Sequence, residues 1–243
     1  MFIGAGTLIN VIAILIGSSL GMAVGHRLKG QMQRSITDVL GLITALGAVS
    51  ALAPLWSQGF ISSLPKGTPL LVILFSMLLG GALGTAFKFE SRLDVFGENL
   101  RKKFGASHES PFVEGFVTAS LLFVIGPLAI LGSISDGASQ GIDQLLLKSS
   151  LDFFASMAFA STLGWGVAAS IIPLAIYQLS WTAIGWIAGN VLEQYQIDAM
   201  TICGGLMLVG IALRLLDMKK IAVANLLPSL VIAPIAATVL HLL

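Results

Sequence analysis

An aspartate in an apolar stretch is the residue of this sequence that most plainly suggests chemistry. Asp152 stands near the start of an apolar run, with Ser149 three residues before it and Ser156 four residues after it. On a helix these three positions share one face. A carboxylate in hydrocarbon costs about 3 kcal/mol, so it should have a partner or face water. The pattern predicts a site for a cation or a proton; pairing with Lys148 one turn earlier is the structural alternative.

A second group of oxygen-bearing residues lies just upstream. Gly126 and Pro127 interrupt the preceding apolar run, which ends near Ser133 and Asp136. Proline removes a backbone donor, and the freed carbonyls are tolerated where a helix lines a cavity. We therefore expect a helix break whose carbonyls, together with Ser133 and Asp136, coordinate a small cation. A simple proline kink and a solvated acidic loop remain as alternatives.

Two asparagines are the polar residues of otherwise apolar runs. Asn10 lies near the beginning of the chain and Asn225 near its end. Hydrogen bonding between helices is the default role of such residues, and the alternative, on which both are candidate ligands, is that they add oxygens to the same ion or substrate site. Oxygen ligands suit hard cations, which leaves the identity of any metal open. No nucleophile is visibly paired with a base, so we expect neither an enzyme nor a cofactor.

The composition places these residues in a membrane. Only 10% of the 243 residues are charged and 56% are hydrophobic, whereas a soluble domain has about 25% charged residues. The net charge of +1 gives no basic surface for nucleic acid. The lipid bilayer is therefore the predicted partner.

Eight apolar runs have about the length of 20 residues that one crossing needs. They are Ile3–Val24, Ile36–Trp56, Thr68–Phe87, Phe112–Ile134, Leu145–Leu163, Val167–Ala188, Ala199–Leu216 and Ile221–Leu243. The predicted fold is an all-α polytopic membrane bundle of about eight transmembrane helices. The charged stretch Phe89–Phe104 adds an amphipathic helix that we expect on the cytoplasmic membrane surface.

Basic residues predict the orientation of the chain. With the N-terminus outside, the loops after the first, third and seventh runs hold eleven of the 13 Lys and Arg residues. Lys66 and Lys148 are the exceptions. Because cytoplasmic loops collect Lys and Arg, both termini are predicted to lie outside.

Internal echoes predict a repeat. Ile16–Ala23 recurs as Leu79–Ala86, and a weaker glycine pattern relates the first three runs to the last three. We interpret the chain as one transmembrane domain with inverted halves at about 1–88 and 165–243, linked by broken helices at about 112–164. Glycines at four-residue spacing also predict close helix contacts, either within the chain or in a homo-oligomer.

Four stretches together resemble a known family: Gly6–Asn10, Gly126–Gly137, Lys148–Gly166 and Asn225–Pro228. They are similar to the YdfK/YqgA-like bacterial inner-membrane proteins, a family of unknown function, and the likeness spans nearly the whole chain. The resemblance implies a location in the bacterial inner membrane and implies no substrate.

The resulting hypothesis is a transporter or channel for a small ion, cation or proton, or for a small solute. Asp152 would bind the ion, and the other named oxygens would surround it. The alternative is an oligomeric membrane scaffold or sensor that transports nothing, in which Lys148 neutralises Asp152.

Overall fold

The computed structural model describes residues 2–25, 27–107, 110–189 and 192–242. Throughout these ranges the regular structure is helical, which confirms the all-α prediction. The helices are α1 (Ala5–Gly25), α2 (Gly30–Leu52), α3 (Gln58–Ser62), α4 (Pro69–Ala86), α5 (Phe89–Lys103), α6 (Phe112–Val124), α7 (Pro127–Gly137), α8 (Asp143–Leu163), α9 (Gly166–Ala169), α10 (Ile171–Ala188), α11 (Gln194–Leu215) and α12 (Ser229–His241). Short 3-10 turns at Ala53–Trp56 and Val223–Leu226 complete them.

Length and composition make this chain a multi-pass membrane protein. Among the described residues six helical stretches can cross a membrane: α1, Gly30–Trp56, α4, Gly166–Ala188, α11 and Val223–His241. The helices α6 and α7 meet at a bend of 61° and make a seventh if they form one span. The polytopic bundle is confirmed, but the count is six or seven where the sequence predicted about eight.

The missing member of the predicted set is α8. It has 21 residues, long enough to cross, but Lys148, Asp152 and several serines lower its hydropathy. Lys148, Asp152 and three of the serines are buried, while Leu147, Leu151 and Phe154 on the opposite face are more than half exposed. An apolar outer face and a polar inner face suit a helix that touches lipid on one side only.

The chain forms two compact units that interleave along the sequence. One unit comprises residues 1–40 and 94–191, and the other comprises 41–93 and 192–243. Two of the three boundaries fall within α2 and α5, and the third lies between α10 and α11. The predicted inverted halves are divided differently and stay a prediction.

Within the first unit, α1 and α8 run parallel in backbone contact. Each of three α1 glycines faces a carbonyl oxygen of α8, in the same order along both helices: Gly17 faces Phe153, Gly21 faces Met157 and Gly25 faces Ser161. A Cβ added to any of these glycines would lie 2.1 to 2.3 Å from that oxygen. No other residue type fits, because such distances are far below van der Waals contact.

The bent pair α6–α7 runs the opposite way along α8. Near its beginning, Gly115 lies against Leu163 at the end of α8; near its end, Gly132 lies against Leu145 at the start of α8. A re-entrant loop would return to the end from which it entered. The two helices therefore continue in one direction along α8, with a break at Gly126.

A tight turn follows α8. Gly164 has a φ of +68° and ends the helix, which favours glycine at this position. The chain continues through α9 into α10, which returns toward the end of α7, where Thr182 and Trp186 pack against Gly137. The fifth and sixth apolar runs are thus separate helices.

In the second unit the neighbouring helices are antiparallel. On α4, Gly80 lies against Ser229 and Gly84 against Asn225, so this glycine pair also supports backbone contact. On α11, Gly205 lies against Leu52 of α2. The echoed segments Ile16–Ala23 and Leu79–Ala86 therefore share a packing role, since each supplies the glycines of a close helix contact.

We expect the glycine contact of α1 to be essential for stability. Gly21→Ala would force α1 and α8 apart, and we expect it to lower the free energy of unfolding by about 1–3 kcal/mol. The matched control is Gly47→Ala on α2, where nothing lies within 4 Å of the added Cβ. Thermal unfolding of both variants in the same detergent makes the comparison. Equal melting temperatures would contradict the contact.

Candidate functional site

The most unusual polar group in the first unit is a buried charge pair on α8. Lys148 Nζ lies 2.6 Å from Asp152 Oδ2, and both residues are 7% exposed. Asn10 of α1 donates to the same oxygen from Nδ2 at 3.0 Å. A cation and an amide dipole thus meet one carboxylate oxygen between two helices. This pairing is the structural alternative that the sequence offered for Asp152.

The position of Asn10 follows from the packing of α1. Asn10 is fully buried and lies 142 residues from its partner in sequence. It reaches Asp152 because the glycine face of α1 brings the two helix backbones together. The neighbouring Gly17 makes room in the same way for Ser156, whose Oγ would lie 2.3 Å from a Cβ at that glycine.

The helix break predicted at Gly126 and Pro127 is present and lies close to the charge pair. Pro127 begins α7, and its missing N–H deprives the Phe123 carbonyl of its helical donor. The ring of Phe123 lies 5.9 Å from Lys148 Nζ, within the range of a cation–π contact. The break of the α6–α7 span is thus one turn from the residue that contacts the buried cation.

Several buried polar atoms of the first unit make no hydrogen bond to any residue that the structure describes. On α1 they are Asn10 Oδ1, Thr7 Oγ1 and Ser18 Oγ. On α10, Nε2 and Oε1 of the fully buried Gln178 also lack a hydrogen-bond partner among the described residues. Buried polar groups are normally paired, since leaving one unpaired costs about 1–3 kcal/mol. These atoms are therefore available to water or to a small polar ligand.

Two predicted ligands donate their hydroxyls to their own helices. Ser156 donates to the Phe153 carbonyl at 2.9 Å, and Ser133 donates to the Ala129 carbonyl at 2.6 Å. Ser156 lies one turn beyond Asp152 on the buried face of α8. Ser133 is buried on α7. Each hydroxyl oxygen retains a lone pair that can accept.

Asp136 caps the beginning of α1. Its carboxylate accepts from the backbone N–H of Gly4 at 3.2 Å and of Gly6 at 3.0 Å. The first N–H groups of a helix lack partners within the helix and favour negative charge. The structure therefore gives this buried carboxylate an identifiable structural function, which the sequence did not predict. The hydrogen bonds link α7 to α1.

Asn225 belongs to the second unit and caps a helix there. Its Oδ1 accepts from the backbone N–H of Glu90 at 2.9 Å, at the start of α5. The Glu90 carboxylate in turn accepts from Arg214 Nη1 at 3.0 Å and from the backbone N–H of Ala224 at 2.8 Å. The sequence did not identify this Glu90–Arg214 pair, although a carboxylate in the first turn of a helix is a recognised capping signal.

The described residues contain no cluster of three or more side chains that could bind a metal ion. No set of three or more His, Cys, Asp and Glu side chains among these residues is placed to hold a metal ion. The candidate site that remains is the cluster of Lys148, Asp152 and Asn10, with Phe123 and the helix break beside it. The chemistry open to this cluster is exchange of a proton or a cation at the carboxylate.

Comparison with known proteins gives relatives along nearly the whole length. Residues 5–238 match the family model described as "Protein of unknown function (DUF554)". The chain is 30% identical over 236 residues to "Uncharacterized membrane protein YdfK" of Bacillus subtilis (strain 168), covering 97% of this chain and 96% of the relative. It is also 30% identical over 240 residues to "Uncharacterized protein YqgA" of Escherichia coli (strain K12), covering 96% of each. No solved structure matches it.

Replacing one member of the charge pair should harm stability more than replacing both. Lys148→Met leaves the Asp152 carboxylate buried without its cation, and we expect a loss of about 3–5 kcal/mol. Lys148→Met combined with Asp152→Leu removes both charges and should recover most of that loss. Unfolding in detergent of the two single variants and the double variant gives the coupling energy. Additive losses would show that the two charges do not depend on each other.

Proposed function

Because the chain belongs to the DUF554 family of membrane proteins of unknown function, we propose its function from its own geometry. It is a transporter or channel for a small cation or proton, or for a small solute that moves with one, and it is not an enzyme. Asp152 is the group that takes up the ion. The observation that supports this proposal is the buried cluster of Lys148, Asp152 and Asn10 at the contact of α1 with α8.

The cluster can couple ion binding to a change of structure. A proton or cation on Asp152 competes with Lys148 for the carboxylate oxygen. Once Asp152 is neutralised, Lys148 is a buried cation without a counter-charge, which costs several kcal/mol. Lys148 therefore requires a different environment when Asp152 carries a proton or cation than when it does not. Ion binding thus shifts the equilibrium between conformations of the protein. The nearby break at Pro127 is a point at which the α6–α7 span can move.

Polar atoms around the cluster favour a hydrated interior. Asn10 Oδ1 and Thr7 Oγ1 are on α1, the helix that carries the amide bound to Asp152, and neither atom has a hydrogen-bond partner in the described ranges. Water or a ligand would satisfy them, and a dry bundle would leave them unpaired. Ionisable residues within membrane helices are expensive and mark ion pathways when they face such a space.

We also propose the bacterial inner membrane as the location, with eight crossings and both termini outside. Because α1 and α8 run parallel, an odd number of membrane crossings must lie between them. The helices α2 and α4 and the α6–α7 span supply three. As the partner of α1 along most of its length, α8 is then itself a crossing. With this order the basic loops lie on the cytoplasmic side.

A second candidate function is a membrane scaffold or sensor that transports nothing. The observation in its favour is the short ion pair, which already neutralises Asp152 in the described structure. The glycines that suggested an oligomer in the sequence are engaged inside the chain, against α8 and against Ser229 and Asn225. A homo-oligomer therefore stays a prediction, and its surface would have to lie elsewhere.

The orientation can be tested by labelling single introduced cysteines in intact cells. We expect Lys66→Cys to react with a membrane-impermeant maleimide added outside, and Lys219→Cys to react only after the membrane is permeabilised. Both positions are exposed, and the native Cys203 is buried and serves as the unlabelled background. Reversed labelling would place the termini inside.

The ion site can be tested by comparing Asp152→Asn with Asp143→Asn. Asp143 is an exposed carboxylate on the same helix and serves as the matched control. A ligand at about 100 times its dissociation constant should stabilise the native protein by about 2.7 kcal/mol. We expect one cation or one pH step to raise the melting temperature of the native chain and of Asp143→Asn, and to have no effect on Asp152→Asn.

Flux measurements then separate the two candidate functions. Proteoliposomes containing the native chain should move the stabilising ion, and those containing Asp152→Asn should not. If all three proteins respond alike to every cation and pH, and none gives flux above empty liposomes, Asp152 is structural and the scaffold function is supported.

A further inference from the structure

An apolar groove in the first unit opens toward the lipid. It encloses about 500 Å³. Phe112, Ala168 and Ala169 are buried and form its floor, while Phe104 and Trp165 at its edge are 65% and 60% exposed. All of the residues that line it are apolar or glycine. Such a lining accepts a hydrocarbon chain and offers nothing to a polar solute.

The groove extends along the helices from the middle of the membrane to its surface. Leu15, at the midpoint of α1, lines the inner part of the groove, and Gly105 and Ala106 line its outer part. Ala106 also lines a neighbouring cavity with Gly25, so this part of the groove is at the end of α1. Ten helical residues separate Leu15 from Gly25, a depth of about 15 Å. This length fits one leaflet's acyl chain, since a whole hydrocarbon core measures about 30 Å.

Two lysines directly precede the residues that line the surface end of the groove. Lys102 and Lys103 directly precede Phe104 and are exposed at the end of α5. Neither forms an ion pair within the described residues. Arg101 beside them is engaged by Glu98, through contacts of Nε with Oε2 at 2.8 Å and of Nη2 with Oε1 at 2.5 Å. This hydrogen bonding raises the pKa of Arg101. The two lysines are thus the cations available to a headgroup.

We propose that this groove is a binding site for an anionic phospholipid. One acyl chain lies along Leu15, Phe112 and Ile172, and the phosphate of the headgroup lies on Lys102 and Lys103. Trp165 borders the groove where the amphipathic indole is favoured, at the level of the headgroups. The site is distinct from the Lys148–Asp152 pair, and it holds whether or not the chain transports an ion.

Trp165 provides a direct measurement of occupancy. The other tryptophans, Trp56, Trp181 and Trp186, are replaced by Phe so that Trp165 alone fluoresces. The protein is placed in bilayers of phosphatidylcholine, and phosphatidylglycerol or phosphatidylcholine with brominated acyl chains is titrated in as the quencher. We expect half-maximal quenching at a roughly tenfold lower mole fraction of the anionic lipid, because each lysine near a headgroup adds attraction.

Two double variants test the part of the lysines. Lys102→Gln with Lys103→Gln should abolish the preference for the anionic lipid while leaving quenching by both lipids. Lys219→Gln with Lys220→Gln removes an exposed lysine pair elsewhere in the chain and should leave the preference unchanged. Far-ultraviolet circular dichroism checks that each variant is folded. Inorganic phosphate should not displace the lipid, because it has no acyl chain to fill the groove.

Three results would contradict the proposed lipid site. Equal quenching by the two brominated lipids in the native chain would show that the site does not distinguish an anionic headgroup from a zwitterionic one. A preference that persists in Lys102→Gln with Lys103→Gln would place the anion elsewhere. Absence of quenching by either lipid at high mole fraction would show that no acyl chain enters the groove.

Discussion

Direct backbone contact between α1 and α8 is the constraint on which the first unit depends. Lipid gives no hydrophobic force that would draw helices together, so close packing and hydrogen bonds must do so. Glycines at positions 17, 21 and 25 let the α8 carbonyls approach where any side chain would block them. The contact fixes both the separation and the register of the helices. Every polar interaction between them is set by that register.

The buried charge pair illustrates this dependence. Asn10 lies seven residues before the first glycine of the contact, and its short side chain reaches Asp152 only when the helices are this close. Without the amide, Asp152 would have Lys148 alone, and a single ion pair rarely repays the cost of burying two charges. The same contact excludes lipid from the pair. The glycines therefore determine the electrostatics of the site although they carry no charge.

The sequence predicts local features of this protein better than distant ones. Periodicity and run length identify the membrane helices, and the spacing of Lys148 and Asp152 shows that they can pair, because both signals lie within one helix. The contact of Asn10 with Asp152 spans 142 residues, and the cap that Asp136 gives to α1 spans at least 130. Neither leaves a pattern in a single sequence.

Asn225 shows a further limit of sequence reasoning. A polar residue at the edge of an apolar run can bind a ligand, form a hydrogen bond to another helix or cap a helix. The residue type alone does not distinguish these three roles. Its backbone packs on Gly84 and its side chain caps α5, so its environment, which depends on the fold, decides its function.

The distribution of unpaired polar atoms bears more on function than the ion pair does. A buried ion pair is compatible with a scaffold and with a transporter, because both must neutralise a carboxylate in the membrane. Thr7, Asn10 and Ser18 recur along α1 at buried positions, and each retains an atom without a partner among the described residues. A dry scaffold would lose about 1–3 kcal/mol at each of them and would be more stable with alanine or leucine there. A path for water and an ion requires such atoms, and their succession along the glycine-rich helix is the reason we propose transport rather than a scaffold.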